Sequence, residues 1–310
     1  MVALASATKP VAAELPALDA VVGQAAHENF PVALHLLPSR TRRDLMAVYG
    51  FARLVDDVGD EAEGDRLALL RWVHEELDRA VAGHASHPVL VRTAQLVRAR
   101  RLSLRPFHEL IRANIQDQTV SSYETYDELA AYCRLSAVPV GRLVLAIFDA
   151  SGPETDALSD DVCTALQIVE HLQDVAEDLD KGRVYLPQED LRDAGTSTQR
   201  LRGDVAAGRA GPELRRVVAR NARRAGVLLR SGTPLVARLP ARAALAVSAF
   251  TAGGLAVLDA IAEADHDVIA HACRPTPLRT AVHAVSVLRS GRLQGASGGF
   301  GAPHAGIEAA

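Results

Sequence analysis

Two stretches of the sequence place carboxylates at the spacing of a helical turn. In the first, DDVGDE at residues 56–61, Asp56 and Asp60 would point about 40° apart on a helix, with Asp57 a neighbour of Asp60. Like charges at this spacing destabilise a helix by roughly 0.2–0.5 kcal/mol per pair. The residues before them are largely apolar. A carboxylate cluster on such a segment indicates a bound cation.

The second stretch carries Glu170, Asp174 and Asp178 at i, i+4 and i+8, one acidic stripe along two helical turns. Carboxylate oxygens suit Mg²⁺, which usually takes one or two protein carboxylates and completes its octahedron with water and substrate phosphate. Two stripes facing each other would hold a Mg²⁺ cluster and a diphosphate, which becomes a better leaving group. The alternative is that each stripe is a solvent-exposed helix face whose charge is balanced by nearby arginines. This explanation suits one stripe better than two. The metal candidates are Asp56, Asp57, Asp60, Glu170, Asp174 and Asp178.

The composition favours a helical protein that does not bind nucleic acid. Of 310 residues, 48% are hydrophobic and 23% charged, the aromatic content is only 4%, and Ala, Leu and Arg are abundant. The net charge is -4, and basic runs alternate with acidic ones, unlike the one-signed stripe of a nucleic-acid binder. Three cysteines without a CxxC pair predict free thiols in a reducing compartment.

The ends and apolar runs predict a cytoplasmic protein. Acidic residues interrupt the N-terminus, so it does not resemble a signal peptide, and no uncharged apolar stretch approaches the ~18 residues of a membrane span. A transient peripheral visit to a membrane, to collect or release a lipid, stays open. The sequence shows no strong basic amphipathic anchor for it.

Helical periodicity runs through most of the chain. We predict a flexible segment at 1–25, one all-helical domain at 26–290 and a disordered Gly-rich tail at 291–310. Pro139 predicts a kink or a break, and Ser159 a helix N-cap. No alternating strand pattern and no GxGxxG fingerprint is found. The predicted helices are 42–61, 67–82, 90–101, 106–117, 126–148, 159–179, 212–231, 241–264 and 277–293.

The acidic stretches lie in longer motifs that resemble the squalene/phytoene synthase family. YGFAR at 49–53 leads into the first stripe, and DVAED at 174–178 is followed by KGRVYLP at 181–187. The resemblance covers about residues 27–290. Segments 28–33 and 132–143 are most similar to the hydroxysqualene synthase branch of bacterial hopanoid biosynthesis.

The resemblance implies a single-domain α-helical isoprenoid-synthase fold with a central cavity. It also implies that Asp56, Asp60, Asp174 and Asp178 bind Mg²⁺ bridged to a diphosphate. Many relatives carry Asn where this chain has Glu170. Glutamate remains an oxygen donor, but its extra negative charge would alter the affinity or the number of metals.

Basic residues beside the stripes are candidates for the diphosphate. Arg53 would reach it, or form an i, i+4 salt bridge to Asp57; the two roles are compatible. Lys181 and Arg183 are also candidates for binding the phosphate. The alternative role for each is capping of the helix C-terminus. The resemblance favours phosphate for Arg183.

Aromatic residues near the motifs are candidates for the cavity wall, where a ring face would stabilise a carbocation; the alternative for each is core packing. They are Tyr49, Phe30, Tyr132 and Tyr185. We assign catalytic roles to Arg53, Tyr49 and Tyr185, and add Asn29 and Gln167 as substrate-binding candidates. His171 lies roughly 100° from the acidic stripe, which favours packing or a surface position.

The resulting hypothesis is Mg²⁺-assisted ionisation of presqualene diphosphate, rearrangement of the cation, and a water quench to hydroxysqualene. A reductive enzyme would need NADPH, which we do not expect here. One alternative is a head-to-head condensing enzyme that makes squalene, dehydrosqualene, presqualene diphosphate or phytoene. Another is a non-catalytic assembly factor on the same fold, which would tolerate broken aspartate motifs, whereas these are intact.

Overall fold

A computed structural model describes residues 37–84 and 87–297, which form an all-α bundle. Within those ranges no strand is present, and a single isolated bridge pairs Ser122 with Val184. The helices are α1 Ser39–Asp60, α2 Arg66–Val81, α3 Pro88–Arg100, α4 Arg105–Asp117, α5 Tyr126–Ser136, α6 Val138–Ile147, α7 Pro153–Gln173, α8 Val175–Asp180, α9 Gln188–Asp193, α10 Thr198–Ala206, α11 Pro212–Ser231, α12 Leu235–Arg238, α13 Ala241–Glu263 and α14 Pro277–Ser297.

The first four helices and α6 enclose one hydrophobic core, which fixes the helix that carries the first acidic stripe. Phe51 of α1 is fully buried and meets Phe107 of α4 edge to face, with ring centroids 5.0 Å apart. Leu54, Val55 and Val58 of α1 are also fully buried. Because Asp56 and Asp60 leave the helix on another side, the buried face sets the direction in which both carboxylates point.

A second core positions the second stripe. Helix α7 packs mainly against α11 and α6 and also touches α5 and α13. Ile168, Val169 and Leu172 of α7, with Val175 of α8, are buried in it. These apolar residues alternate with the acidic ones at helical spacing, so burying them leaves Glu170 and Asp174 outside the core.

Most of the predicted helices are confirmed, with shifted ends. The break at Pro139 is confirmed: α5 ends at Ser136, and Pro139 lies in the first turn of α6. The Ser159 cap is wrong, because α7 begins at Pro153 and Ser159 is buried inside it. The helix predicted at 159–179 is interrupted at Asp174. The short helices α9, α10 and α12 were not predicted.

The C-terminal boundary also differs, since α14 continues to Ser297 and residues 291–297 are helical rather than part of a disordered tail. Cys133, Cys163 and Cys273 are free thiols, as predicted. Two segments, Tyr126–Ile147 and Ala241–Glu263, are long and apolar enough to cross a membrane by length and composition. Both are partly buried within the bundle, as core helices are.

Candidate active site

The first acidic stripe is held in place by helix α4. Asn114 of α4 donates a hydrogen bond from Nδ2 to Oδ1 of Asp56, at 3.0 Å. Gln118 donates from Nε2 to the backbone oxygens of Gly59 and Asn114, both at 3.0 Å. Two amide side chains, one on α4 and one directly after it, therefore fasten this helix end to the turn of α1 that carries Asp56 and Asp60.

Asp57 has different surroundings. Its side chain is buried and lies against Arg53, with 2.7 Å between Asp57 Oδ1 and Arg53 Nε. Arg53 also reaches Oε1 of Glu61 at 3.1 Å. The i, i+4 salt bridge expected as the alternative role of Arg53 is present, and Asp57 is directed at Arg53 within the protein.

Asp60 joins the two motifs. Nη2 of Arg183, in the segment after the second stripe, lies 2.6 Å from Oδ1 of Asp60. Burial alone would lower the pKa of Arg183, but the hydrogen bond to Asp60, together with the negative charges of Asp60 and Asp117, raises that pKa. Lys181 is exposed and pairs with Glu177 of α8 at 2.9 Å, which raises the pKa of the Lys181 amine. Arg183 thus faces the acidic site, whereas Lys181 forms an ion pair with Glu177 at the end of α8.

The two stripes approach each other. The Asp56 side chain is accessible to water yet surrounded by protein on most sides, and this partial desolvation raises its pKa to about 7. The hydrogen bond from Asn114 opposes the rise, whereas the negative charges of Asp60 and Glu170 add to it. Since Glu170 belongs to α7 and its charge acts on Asp56 of α1, the two stripes lie near each other, and we call the region between them the acidic cleft.

The carboxylates of the second stripe are not fully balanced by neighbouring positive charges. Desolvation and the neighbouring charges of Asp178 and Glu177 raise the pKa of Asp174. Oδ2 of Asp178 is buried without a hydrogen-bond partner, and Nδ1 of the His171 imidazole lies 3.7 Å from it. An orphaned buried carboxylate oxygen is costly unless something binds it, so this donor set fits a hard cation such as Mg²⁺.

Among the described residues, no three Asp, Glu, His or Cys side chains converge closely enough to form a complete metal site. Mg²⁺ that takes only one or two protein carboxylates, with water and substrate phosphate as its other ligands, does not require such a group. The arrangement does not suit a closed structural metal site.

A cluster of tyrosines borders the acidic cleft. Tyr132 donates a hydrogen bond to Oδ2 of Asp117 at 2.6 Å, and Tyr185 donates to Oδ1 at 3.3 Å. The ring of Tyr185 stacks on His171, with centroids 3.7 Å apart and planes at 12°. Tyr123 adjoins both tyrosine rings. Burial raises the pKa of Asp117 and of Tyr185, and the two hydrogen bonds partly counter the rise for Asp117.

The remaining candidates fall in different places. Tyr49 is half-buried on α1, two turns before Asp56 and therefore on the same side of that helix. Nε2 of Gln167 lies 3.3 Å from both Oε2 of Glu170 and Nε2 of His171, so Gln167 belongs to the site wall. Asn29 and Phe30 lie outside the described residues.

Sequence reasoning missed Asn114, Asp117 and Gln118, and it assigned no site role to His171. One signal was available: Asp117 ends α4, and a carboxylate is unfavourable at a helix C-terminus unless other groups bind it. No pattern in the sequence could have paired Asn114 with Asp56, because that contact depends on how α4 crosses α1.

The squalene/phytoene synthase family model matches residues 24–283 of the chain. The protein belongs to this family. A hydroxysqualene synthase of Sinorhizobium fredii is 35% identical over 223 residues, 68% of this chain and 71% of the relative. One from Zymomonas mobilis is 37% identical over 62% of this chain and 64% of its own. A phytoene synthase of Mycobacterium tuberculosis is 34% identical over 59% and 60%, respectively.

Solved structures agree with the fold. The squalene synthase HpnC from Alicyclobacillus acidocaldarius is 40% identical, with a TM-score of 0.74 over 79% of this chain and 92% of that protein. A dehydrosqualene synthase superimposes with a TM-score of 0.76 at 20% identity, covering 88% and 95% of the two chains. The isoprenoid-synthase fold expected from the sequence is confirmed, and the family is one of head-to-head prenyl diphosphate synthases.

Proposed function

We propose that this enzyme is a hydroxysqualene synthase, which converts presqualene diphosphate and water into hydroxysqualene and diphosphate. The observation that carries the proposal is the cleft in which Asp56 and Asp60 face Glu170, with Arg183 and the Tyr132–Tyr185 pair at its border. The similarity to hydroxysqualene synthases at 34–37% identity supports the choice of reaction.

The acidic cleft binds the diphosphate end of the substrate in this proposal. Asp56, Asp60, Asp174 and Asp178 hold Mg²⁺, with Glu170 as a further oxygen donor; Asp57 is left out because it is buried against Arg53. Bound there, Mg²⁺ would neutralise charge on the diphosphate and make the diphosphate a better leaving group. Arg183 turns its guanidinium fork from Asp60 toward the phosphate oxygens.

The tyrosine cluster and the apolar core form the wall beside the hydrocarbon. Tyr185 and Tyr132 are held by Asp117, which fixes their ring planes against the site. An aromatic face stabilises a nearby carbocation by up to ~2 kcal/mol when desolvated. Excluding bulk water until rearrangement is complete lets the final cation take up one water, which gives the alcohol and releases a proton.

A condensing activity is the second candidate, since phytoene synthases also match this chain, at 34% identity over 185 residues. A condensing enzyme ionises a simpler prenyl diphosphate and joins it to a second one, and it would use the same acidic cleft. The two candidates differ in the substrate consumed.

We also propose that the enzyme binds a membrane transiently, because its product is a lipid. Leu278, Val282 and Val285 of α14 are 76%, 61% and 48% exposed and lie on one side of the helix. Arg289 and Arg279, the latter paired with Glu263 of α13, belong to the same helix, whose own sequence contains no acidic residue. An apolar stripe among arginines suits an anionic lipid surface, so co-sedimentation with phosphatidylglycerol vesicles should exceed that with phosphatidylcholine vesicles.

The proposed function is tested by offering the purified enzyme three substrates separately with Mg²⁺ and no NADPH: presqualene diphosphate, farnesyl diphosphate and geranylgeranyl diphosphate. Diphosphate release from presqualene diphosphate alone, with a C30 alcohol detected by mass spectrometry, supports the proposal. Consumption of either of the other two, with presqualene diphosphate untouched, establishes a condensing enzyme instead.

A further inference from the structure

Asn114 of α4 contacts the first carboxylate of the acidic cleft. Its Nδ2 lies 3.0 Å from Oδ1 of Asp56 and 3.4 Å from the backbone oxygen of Leu110, so both amide protons have acceptors. We propose that Asn114 is the positioning residue that orients Asp56 for cation binding, and that Gly59 is required because it lets the Asn114 side chain approach. This inference rests on the proposed function of the cleft.

Gly59 leaves the space that the amide occupies. A Cβ built on Gly59 would lie 2.2 Å from Oδ1 of Asn114 and 3.1 Å from its Cγ, far inside contact distance. Gly59 is buried in the last turn of α1, which ends at Asp60. The close approach of Asn114 is a local reason for glycine at this position, and any larger residue would displace the amide.

Neighbouring contacts keep the Asn114 amide where it is. Gln118, directly after the end of α4, donates hydrogen bonds to the backbone oxygens of Gly59 and Asn114. Ile111 and Ala113 of α4 are buried against the bundle and fix the helix itself. These contacts hold the backbone around Asn114, and the side-chain amide itself is held by Asp56 of α1 and by the Leu110 backbone oxygen of its own helix.

The consequence for Asp56 is a defined carboxylate direction. Asp60 and Glu170 repel its negative charge, so an unrestrained side chain would turn away from the cleft. The amide holds Oδ1 and leaves Oδ2, and the remaining lone pair of Oδ1, for a cation. Groups that orient a ligand in this way typically change metal affinity by about 10–100-fold when removed.

The test measures binding of Mn²⁺, as a paramagnetic substitute for Mg²⁺, to the full chain with inorganic diphosphate by electron paramagnetic resonance. Asn114→Leu removes the amide at similar volume. Gly59→Ala displaces the amide from the other side of the contact, and serves if Asn114→Leu fails to fold. Arg112→Ala, at an exposed position on the same helix, is the control. Metal-free unfolding midpoints are recorded for every variant.

We expect Asn114→Leu and Gly59→Ala each to weaken Mn²⁺ binding roughly 10–100-fold. The double variant should bind no more weakly than either single variant, because both remove one hydrogen bond. Arg112→Ala should bind like wild type. Wild-type affinity in a folded Asn114→Leu or Gly59→Ala protein overturns the positioning role alone. Failure of the wild-type enzyme to bind Mn²⁺ with diphosphate overturns the proposed cation site, and this role with it.

Discussion

Arg183 and Asp60 are 123 residues apart in sequence, yet Nη2 of Arg183 lies 2.6 Å from Oδ1 of Asp60. This ion pair links the segment after the second acidic stripe to the first stripe. Without a diphosphate present, Asp60 is the partner of a guanidinium that the proposed function assigns to phosphate. The pair therefore marks the place where the leaving group would lie.

Replacing Arg183 by Gln should lower the turnover of presqualene diphosphate by roughly 10²-fold, since removing one preorganised charge-stabilising donor commonly costs that much. Steady-state kinetics by diphosphate release measures it. Arg192→Gln breaks an exposed ion pair to Glu124 and should change turnover by less than about twofold. Equal losses in the two variants would contradict a specific role for Arg183.

The raised pKa of Asp56 predicts a pH dependence. A cation needs the ionised carboxylate, so at low Mg²⁺ the activity should fall as the pH drops below about 7, the pKa of Asp56. Saturating Mg²⁺ stabilises the ionised form and should move this acid limb to lower pH. Profiles of kcat/KM at two Mg²⁺ concentrations check it, and an acid limb that stays fixed between them would exclude Asp56 as its origin.

The same group should affect metal-free stability. Between its ordinary pKa and about 7, the folded protein keeps a proton on Asp56 that the unfolded chain has lost, so Asp56 lowers stability as the pH rises through that window. Asp56→Asn should therefore raise the unfolding midpoint at pH 8. The expected rise is about 2 °C, because solvent around the partly exposed side chain screens most of the unfavourable charge. The gain should vanish near pH 4. A lower midpoint at pH 8 would show that Asp56 is not destabilising.

Tyr132 supplies the shorter of the two hydrogen bonds to Asp117. Tyr132→Phe should reduce turnover by about tenfold, because a hydrogen bond to a charged group contributes roughly 1.5 kcal/mol. Tyr123→Phe removes a hydroxyl that is bonded to Gln116 rather than to Asp117, and should have a smaller effect. Turnover numbers decide the order, and a larger loss for Tyr123→Phe would contradict it.

Asp190 offers a test of stability away from the site. It is 1% exposed and contacts Arg220, Arg224 and Asn221 of α11. Asp190→Ala should reduce the free energy of unfolding by about 2–3 kcal/mol, because the buried Asn221 amide and the half-buried Arg224 lose their carboxylate partner. Asp193→Ala removes an exposed carboxylate on the same Arg220 and should cost under about 1 kcal/mol. Urea denaturation compares them, and similar costs would refute the distinction.

The sequence was sufficient for the features that repeat along a helix. Asp56 and Asp60, or Glu170 and Asp174, could be assigned to common faces from spacing alone, and Pro139 correctly marked a break. The predicted start of α7 was wrong because both Ser159 and Pro153 are residues that commonly begin a helix. In the structure Ser159 is buried inside the helix, which begins at Pro153.

Contacts between helices could not be read from spacing. The approach of Asn114 to Gly59 and the two hydrogen bonds accepted by Asp117 depend on packing between α1, α4, α5 and the segment after α8. The position of Asp57 is similar: its type and spacing suit a metal ligand, but the helix turns it toward Arg53 and the interior. The different roles of Asp56 and Asp57 therefore depend on tertiary packing and not on the local sequence pattern.

The most direct test of the central claim uses ¹⁸O-labelled water. The wild-type enzyme is incubated with presqualene diphosphate and Mg²⁺, without NADPH, and the organic product is examined by mass spectrometry. The account predicts hydroxysqualene carrying one ¹⁸O atom, formed at the rate of diphosphate release. An oxygen-free hydrocarbon, or an alcohol without the label, would contradict it.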